Sequence, residues 1–166
     1  KILRIDPITG DGLADNPFYN GDPDANRSKV YQLGLRNPFR ITVDPRNGDV
    51  YVGDVGWTQW EEINSADAGA NFGWPYYEGG SNNSLRTGGY QNLPEAQAFY
   101  NSGQSVNPSI LALNHGADGI NAIVLGDIYT GDAFPEEYRG DLFFSDLGQG
   151  IVYNVSFNDQ GEVMAF

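Results

Sequence analysis

The stretch GDVYVGDVG, residues 48 to 56, returns as GDLFFSDLG at residues 140 to 148. Each copy reads Gly-Asp, three strand-forming residues, a small residue, Asp, an aliphatic residue and Gly. Aliphatic and aromatic residues between turn-forming Gly and Asp mark a short strand that begins and ends in a turn. Working outward from the first copy, FRITVDP (39 to 45) alternates as a strand and PRNGD (45 to 49) reverses the chain, so a hairpin is expected. EEIN (61 to 64) then starts another short strand and ADAGANFG (66 to 73) a turn. Around the second copy, AIVLGDIYTG (122 to 131), DLFFSDL (141 to 147) and IVYNVSF (151 to 157) read as three strands. A weaker echo pairs KILRIDPITG at the start with IVYNVSFNDQG near the end.

Recurrence of one strand arrangement is the pattern of β-propeller blades, whose period is usually about 40 to 50 residues. The two copies lie 92 residues apart. The excess belongs either to the polar insertion from Tyr76 to Asn107, rich in Gly, Asn, Ser and Gln, or to a blade too divergent to read. Residues 10 to 32 are polar around Asp15, Asn16, Asp22 and Asp24 and read as a long surface loop. Two or three blades cannot close a ring without leaving bare edges and apolar faces. The expectation is an all-β chain, a partial propeller domain over residues 1 to 166, with two to three four-stranded blades. The remaining blades would come from the rest of a longer chain or from a second chain.

Composition narrows the function classes. At 166 residues the chain supports one ordinary core. Its 22 Gly, 10 Tyr and 9 Phe favour short strands and tight turns over long helices. Twenty-two acidic against nine basic residues give a net charge of −13, which repels phosphate backbones and anionic lipid. Neither nucleic acid nor membrane is an expected partner. The absence of cysteine excludes disulfides, thiolate nucleophiles and thiolate metal sites. KILRIDP reads as a strand rather than a signal peptide.

The segment LGLRNPFRITVDPRNGDVYVGDVGWTQWEEINSADAGANFGWPYYEG, residues 33 to 79, resembles the signature blade of the glucose/sorbosone dehydrogenase family, the soluble quinoprotein sugar dehydrogenases. The landmarks are GLRNPFR, DPRNGD, GDVG, WEEIN and NFGWPYYEG; HG at 115 to 116 and GDIYTGDAFPEEYRGDLFFSD (126 to 146) resemble a later blade. The resemblance implies a six-bladed propeller that holds pyrroloquinoline quinone (PQQ) and calcium and oxidises a sugar at its anomeric carbon, in the periplasm or outside the cell. Arg36 and Asn37, matching the family's RNP motif, would hydrogen-bond the quinone oxygens. The main-chain carbonyls of Gly56 and Trp57, following GDVG, would bind calcium.

The family's histidine base comes from an earlier blade, so no catalytic residue is expected here, and His115, the only histidine, is read as structural. Phe39 stands where relatives can carry a polar side chain, and DLGQG (146 to 150) supplies no cation for the cofactor's carboxylates. These departures leave a second function open: a noncatalytic extracellular calcium-binding propeller that binds a glycan or a protein partner.

Glu61 and Glu62 are adjacent in a strand and point to opposite faces, which excludes a glycosidase pair. One is expected to tie a turn or to pair with Arg40, the other to be solvated. Asp54 and Asp146 occupy the same place in the two repeats, which argues for a turn cap in each. Trp60 and Trp74 are assigned to packing, Trp57, Tyr76 and Tyr77 to positions where a ligand is accessible. DNPFYNGDPDAN (15 to 26) offers oxygens for a second calcium without EF-hand spacing.

Overall fold

The computed structural model describes residues 1–166, which group into two compact units. The first comprises Lys1–Arg36 and Ala66–Asn107. Its sheet has two short strands, β1 (Ile2–Leu3) and β2 (Val30–Gln32), paired antiparallel. The strand expected over KILRIDP is therefore confined to Ile2–Leu3, extended only by an isolated bridge between Ile5 and Gly12. Residues 10 to 32 are more structured than a surface loop: a 3-10 turn at Asn26–Lys29 leads into β2. Buried Asn16 organises the segment, its Nδ2 donating to the carbonyls of Arg4 (2.7 Å) and Ser28 (2.8 Å). The polar composition hid this because the organising contacts are side chain to backbone rather than apolar.

The polar insertion from Tyr76 to Asn107 likewise contains helix α1 (Pro94–Asn101). Pro94 begins it, where a missing N–H costs nothing, and Ala96 is its buried residue. Phe99 and Tyr100 on this helix pack onto Tyr76 (centroids 4.6 Å from Phe99) and Tyr77 (5.3 Å from Tyr100). Tyr76 and Tyr77, expected where a ligand is accessible, are half-buried and pack on the helix of their own insertion.

The second unit, Asn37–Ser65 with Pro108–Phe166, holds two four-stranded antiparallel sheets. In the first, β3 (Pro38–Val43), β4 (Val50–Asp54), β5 (Trp60–Asn64) and β6 (Leu111–Asn114) lie in chain order. In the second, β7 (Ile123–Ile128), β8 (Leu142–Asp146), β9 (Ile151–Phe157) and β10 (Val163–Ala165) do the same. Each is a meander of the kind that forms a propeller blade. The repeated sequence becomes the second strand of each: Val52 in β4 and Phe144 in β8 are both buried at the centre. The 92-residue spacing is resolved in favour of an insertion, because residues 65 to 110 all fall between β5 and β6. β6 had no signal strong enough to be read, being only LALN.

The core of this unit is formed by inward residues of both sheets, among them Ile63, Leu113, Leu125 and Phe144, with Phe144 and Tyr153 stacked at 5.1 Å. Gly53 permits close approach of the sheets: a Cβ there would lie 2.8 Å from the Cβ of Leu125. No helix is long and apolar enough to cross a membrane.

Candidate functional site: one end of the first blade

The end of the first sheet where β3 begins and β4 finishes is built by Asp54. Its Oδ1 accepts the N–H of Asn37 at 2.7 Å, and the Asn37 carbonyl accepts the N–H of Val55 at 3.0 Å. Asp54 thus caps the start of one strand from the end of its neighbour. Asp146 does the equivalent work in the second sheet, accepting N–H bonds from Asn121 (2.8 Å), Ala122 (2.7 Å) and Gln149 (2.6 Å). Burial alone would raise the Asp146 pKa; the backbone donors outweigh it and hold the carboxyl below its usual range. Both aspartates are the turn caps that repetition implied.

With its backbone fixed, Asn37 exposes its side chain, whose amide takes no protein partner. The following turn brings Gly56 and Trp57 to this same sheet end, Gly56 half-buried and Trp57 42% exposed. Three of the four expected site residues therefore meet here. Arg36 belongs to the first unit, where its guanidinium lies 5.7 Å from the Trp74 ring centroid. Trp74 is in turn edge-on to Tyr90 at 5.7 Å. The packing role assigned to Trp74 is seen, and it supports Arg36 through a cation–π contact.

The landmarks GLRNP and NFGWP pair with each other. Leu33 donates its N–H to the Ala70 carbonyl (2.9 Å), while Phe72 and Trp74 donate theirs to Leu33 (3.0 Å) and Gly34 (2.9 Å). Gly34 adopts φ +76°, and a Cβ there would meet Asn71 Oδ1 at 2.1 Å. Only glycine suits both demands.

Glu61 is the contact that sequence reading missed. Fully buried in β5, it accepts the Gly56 N–H (3.2 Å) on Oε1 and the Ile123 N–H (3.1 Å) on Oε2. His115 Nε2 lies 2.8 Å from the same Oε1, and the His115 N–H donates to the Gln59 carbonyl at 2.8 Å. One carboxylate thus joins the Gly56 turn, the loop after β6 and the start of β7. His115 is hydrogen-bonded on this carboxylate, in keeping with a structural role; one glutamate, Glu61, ties a turn as expected, whereas Glu62 is buried rather than solvated. A 54-residue separation bridged by β5–β6 pairing left no local sequence signal.

On the opposite face of β5, Asn64 Nδ2 donates to Glu62 Oε2 at 3.3 Å, while Asn64 Oδ1 is buried without a donor. No cluster of three His, Asp or Glu side chains suits a metal. In the 15 to 26 segment, Asp15 pairs with Arg4 (2.9 Å) and Asp24 with Lys29 (3.0 Å).

The two sequential meanders define a protein of the β-propeller class. Matching over residues 1–165 to the model described as Glucose / Sorbosone dehydrogenase places the chain in that family. It is 31% identical over 158 residues to aldose sugar dehydrogenase YliI of Escherichia coli, covering 95% of this chain and 38% of the relative. It is 29% identical over 167 residues to the HIPL2 protein of Arabidopsis thaliana, covering 89% of this chain and 23% of that one. The PQQ-bound aldose sugar dehydrogenase of Streptomyces coelicolor superposes with a TM-score of 0.61 at 20% identity, over 99% of this chain and 36% of the other. The chain thus spans well under half the length of these relatives.

Proposed function

We propose that this chain is the part of a calcium- and PQQ-dependent aldose or sorbosone dehydrogenase that contributes Arg36 and Asn37 to the quinone, in a periplasmic or extracellular protein. The observation that carries the reading is Asn37: its backbone is locked by Asp54 and Val55 while its side-chain amide is exposed without a protein partner, beside the Gly56–Trp57 turn. PQQ, when bound, supplies the two-electron acceptor for oxidation of a sugar at the anomeric carbon. Arg36, held against Trp74, and Asn37 are suited to donate hydrogen bonds to quinone oxygens that gain negative charge. The Gly56 and Trp57 carbonyls supply hard oxygen ligands of the kind calcium prefers. A second oxygen pair, the Glu62 carboxylate with the donorless Asn64 Oδ1, also suits such a cation. No residue of this chain is assigned as the base. The apolar faces left by the two sheets fit further blades, from the remainder of a longer protein or from a second chain.

One observation favours the noncatalytic alternative, a calcium-binding propeller with a glycan or protein partner: the turn after β8, residues 147 to 150, carries no Lys or Arg. Dye reduction by the full-length, calcium-loaded, PQQ-supplemented protein across a panel of aldoses decides between them. The enzyme reading expects turnover, reduced about 100-fold by Asn37→Ala as for loss of a preorganised donor. No turnover with any aldose would favour the noncatalytic reading.

A further inference from the structure

The turn from β4 to β5 that carries Gly56 and Trp57 is tied down at three points. Val55 donates its N–H to the Asn37 carbonyl (3.0 Å), Gly56 donates its N–H to Glu61 Oε1 (3.2 Å), and the Gln59 carbonyl accepts the His115 N–H (2.8 Å). The Gly56 carbonyl accepts from no protein donor, although the residue is half-buried. Backbone oxygens withdrawn from solvent are normally paired. This one is open to a hard cation, which fits the calcium role proposed for it.

Glu61 stands where stability alone would place an apolar side chain. Alternation along β5 sets it on the same face as Ile63, which lies in the core with Leu113 and Ile123. Glu61 is paired with Leu113 across β5 and β6, and its Oε2 accepts the Ile123 N–H at 3.1 Å. A buried carboxylate costs free energy unless it is well hydrogen-bonded, and a packed hydrophobic side chain is often at least as stable in its place. What the carboxylate does that leucine could not is hold two groups on one oxygen: Oε1 meets both the Gly56 N–H and His115 Nε2, the latter at 2.8 Å. The His115 ring also sits on the loop whose own N–H holds Gln59, so ring and backbone grip the turn from the same residue. The orientation of Gly56, and with it the Gly56 carbonyl, is therefore set by Glu61 and His115 together. Groups that orient a metal ligand through a hydrogen bond typically contribute about 10–100-fold to metal affinity.

We propose that Glu61, oriented by His115, is a positioning residue for the calcium site, an inference that rests on the assignment of calcium to the Gly56 and Trp57 carbonyls. The test uses full-length protein freed of metal by chelation and titrated with terbium, a luminescent calcium substitute, and then with calcium in competition. Luminescence excited through tryptophan and lost in Trp57→Phe, which keeps the carbonyl, reports this site alone. Glu61→Gln and His115→Ala should each weaken calcium about tenfold or more. His115→Gln, whose amide can still donate to the carboxylate, should return affinity toward the wild-type value. Circular dichroism and denaturation of the metal-free proteins accompany each titration, because a merely structural role would lower stability and leave the calcium affinity of the folded protein unchanged. Should Glu61→Gln fail to fold, the two His115 variants decide. Equal calcium affinity in wild type and the folded variants, with the Trp57-dependent signal present, overturns this inference and leaves the calcium assignment standing. Absence of that signal in the wild type overturns both.

Discussion

Glu61 is buried because three donors from separated segments converge on it, and each would lose its partner if the carboxylate were removed. Glu61→Ala should destabilise the fold by about 3 kcal/mol, the upper end for buried donors left unpaired; chemical denaturation measures it, and a change within error would show that the contacts are incidental. Asp146 gives a pH-dependent expectation. Its folded pKa is lowered, so its stabilisation is full above the ordinary aspartate value of about 3.9 and is lost as pH falls through the folded value. Asp146→Asn presents an amide N–H to the Gln149 N–H and should cost about 1–3 kcal/mol near neutrality. The gap between wild type and variant should narrow on acidification, as read from melting temperature against pH; a constant gap would contradict the assigned ionisation. The role of Asp146 was legible because Asp54 repeats it in sequence. The Glu61–His115 contact has no such echo.

Among the elements, β4 and β8 were legible because strand-forming residues alternate between fixed turn residues, and each side chain meets a half-buried surface. β6 was not, since four residues carry little periodicity and its partner β5 lies across the insertion. Helix α1 was hidden by the polar composition around it. Gly53 and Ser145 hold the same place in the repeat, yet the glycine alone is required by the Leu125 contact. Gly53→Val should therefore force the sheets apart and cost about 1–3 kcal/mol, as overpacking does. Ser145→Gly is the control at the matching position. Equal denaturation midpoints for wild type and Gly53→Val would show that the sheets yield freely.

Across the whole chain, the pattern of exposure extends the argument from blades to ring. Phe39, Ile41 and Val43 alternate along β3 and are half or more exposed, as are Val152, Met164 and Phe166 near the other sheet's later strands. Such apolar faces suit packing against further blades, in keeping with a chain that matches 36% of the Streptomyces coelicolor structure. The family and the blade architecture were legible from landmarks in order; the partition into two compact units depends on long-range contacts that no single stretch encodes. Whether this framework holds a quinone is tested most directly by titrating PQQ into the full-length, calcium-loaded protein and into its Arg36→Ala and Asn37→Ala variants, following the cofactor's absorbance. Saturable binding is expected, weakened about tenfold or more by each substitution, ~1.4 kcal/mol. Equal affinity in all three proteins would contradict it.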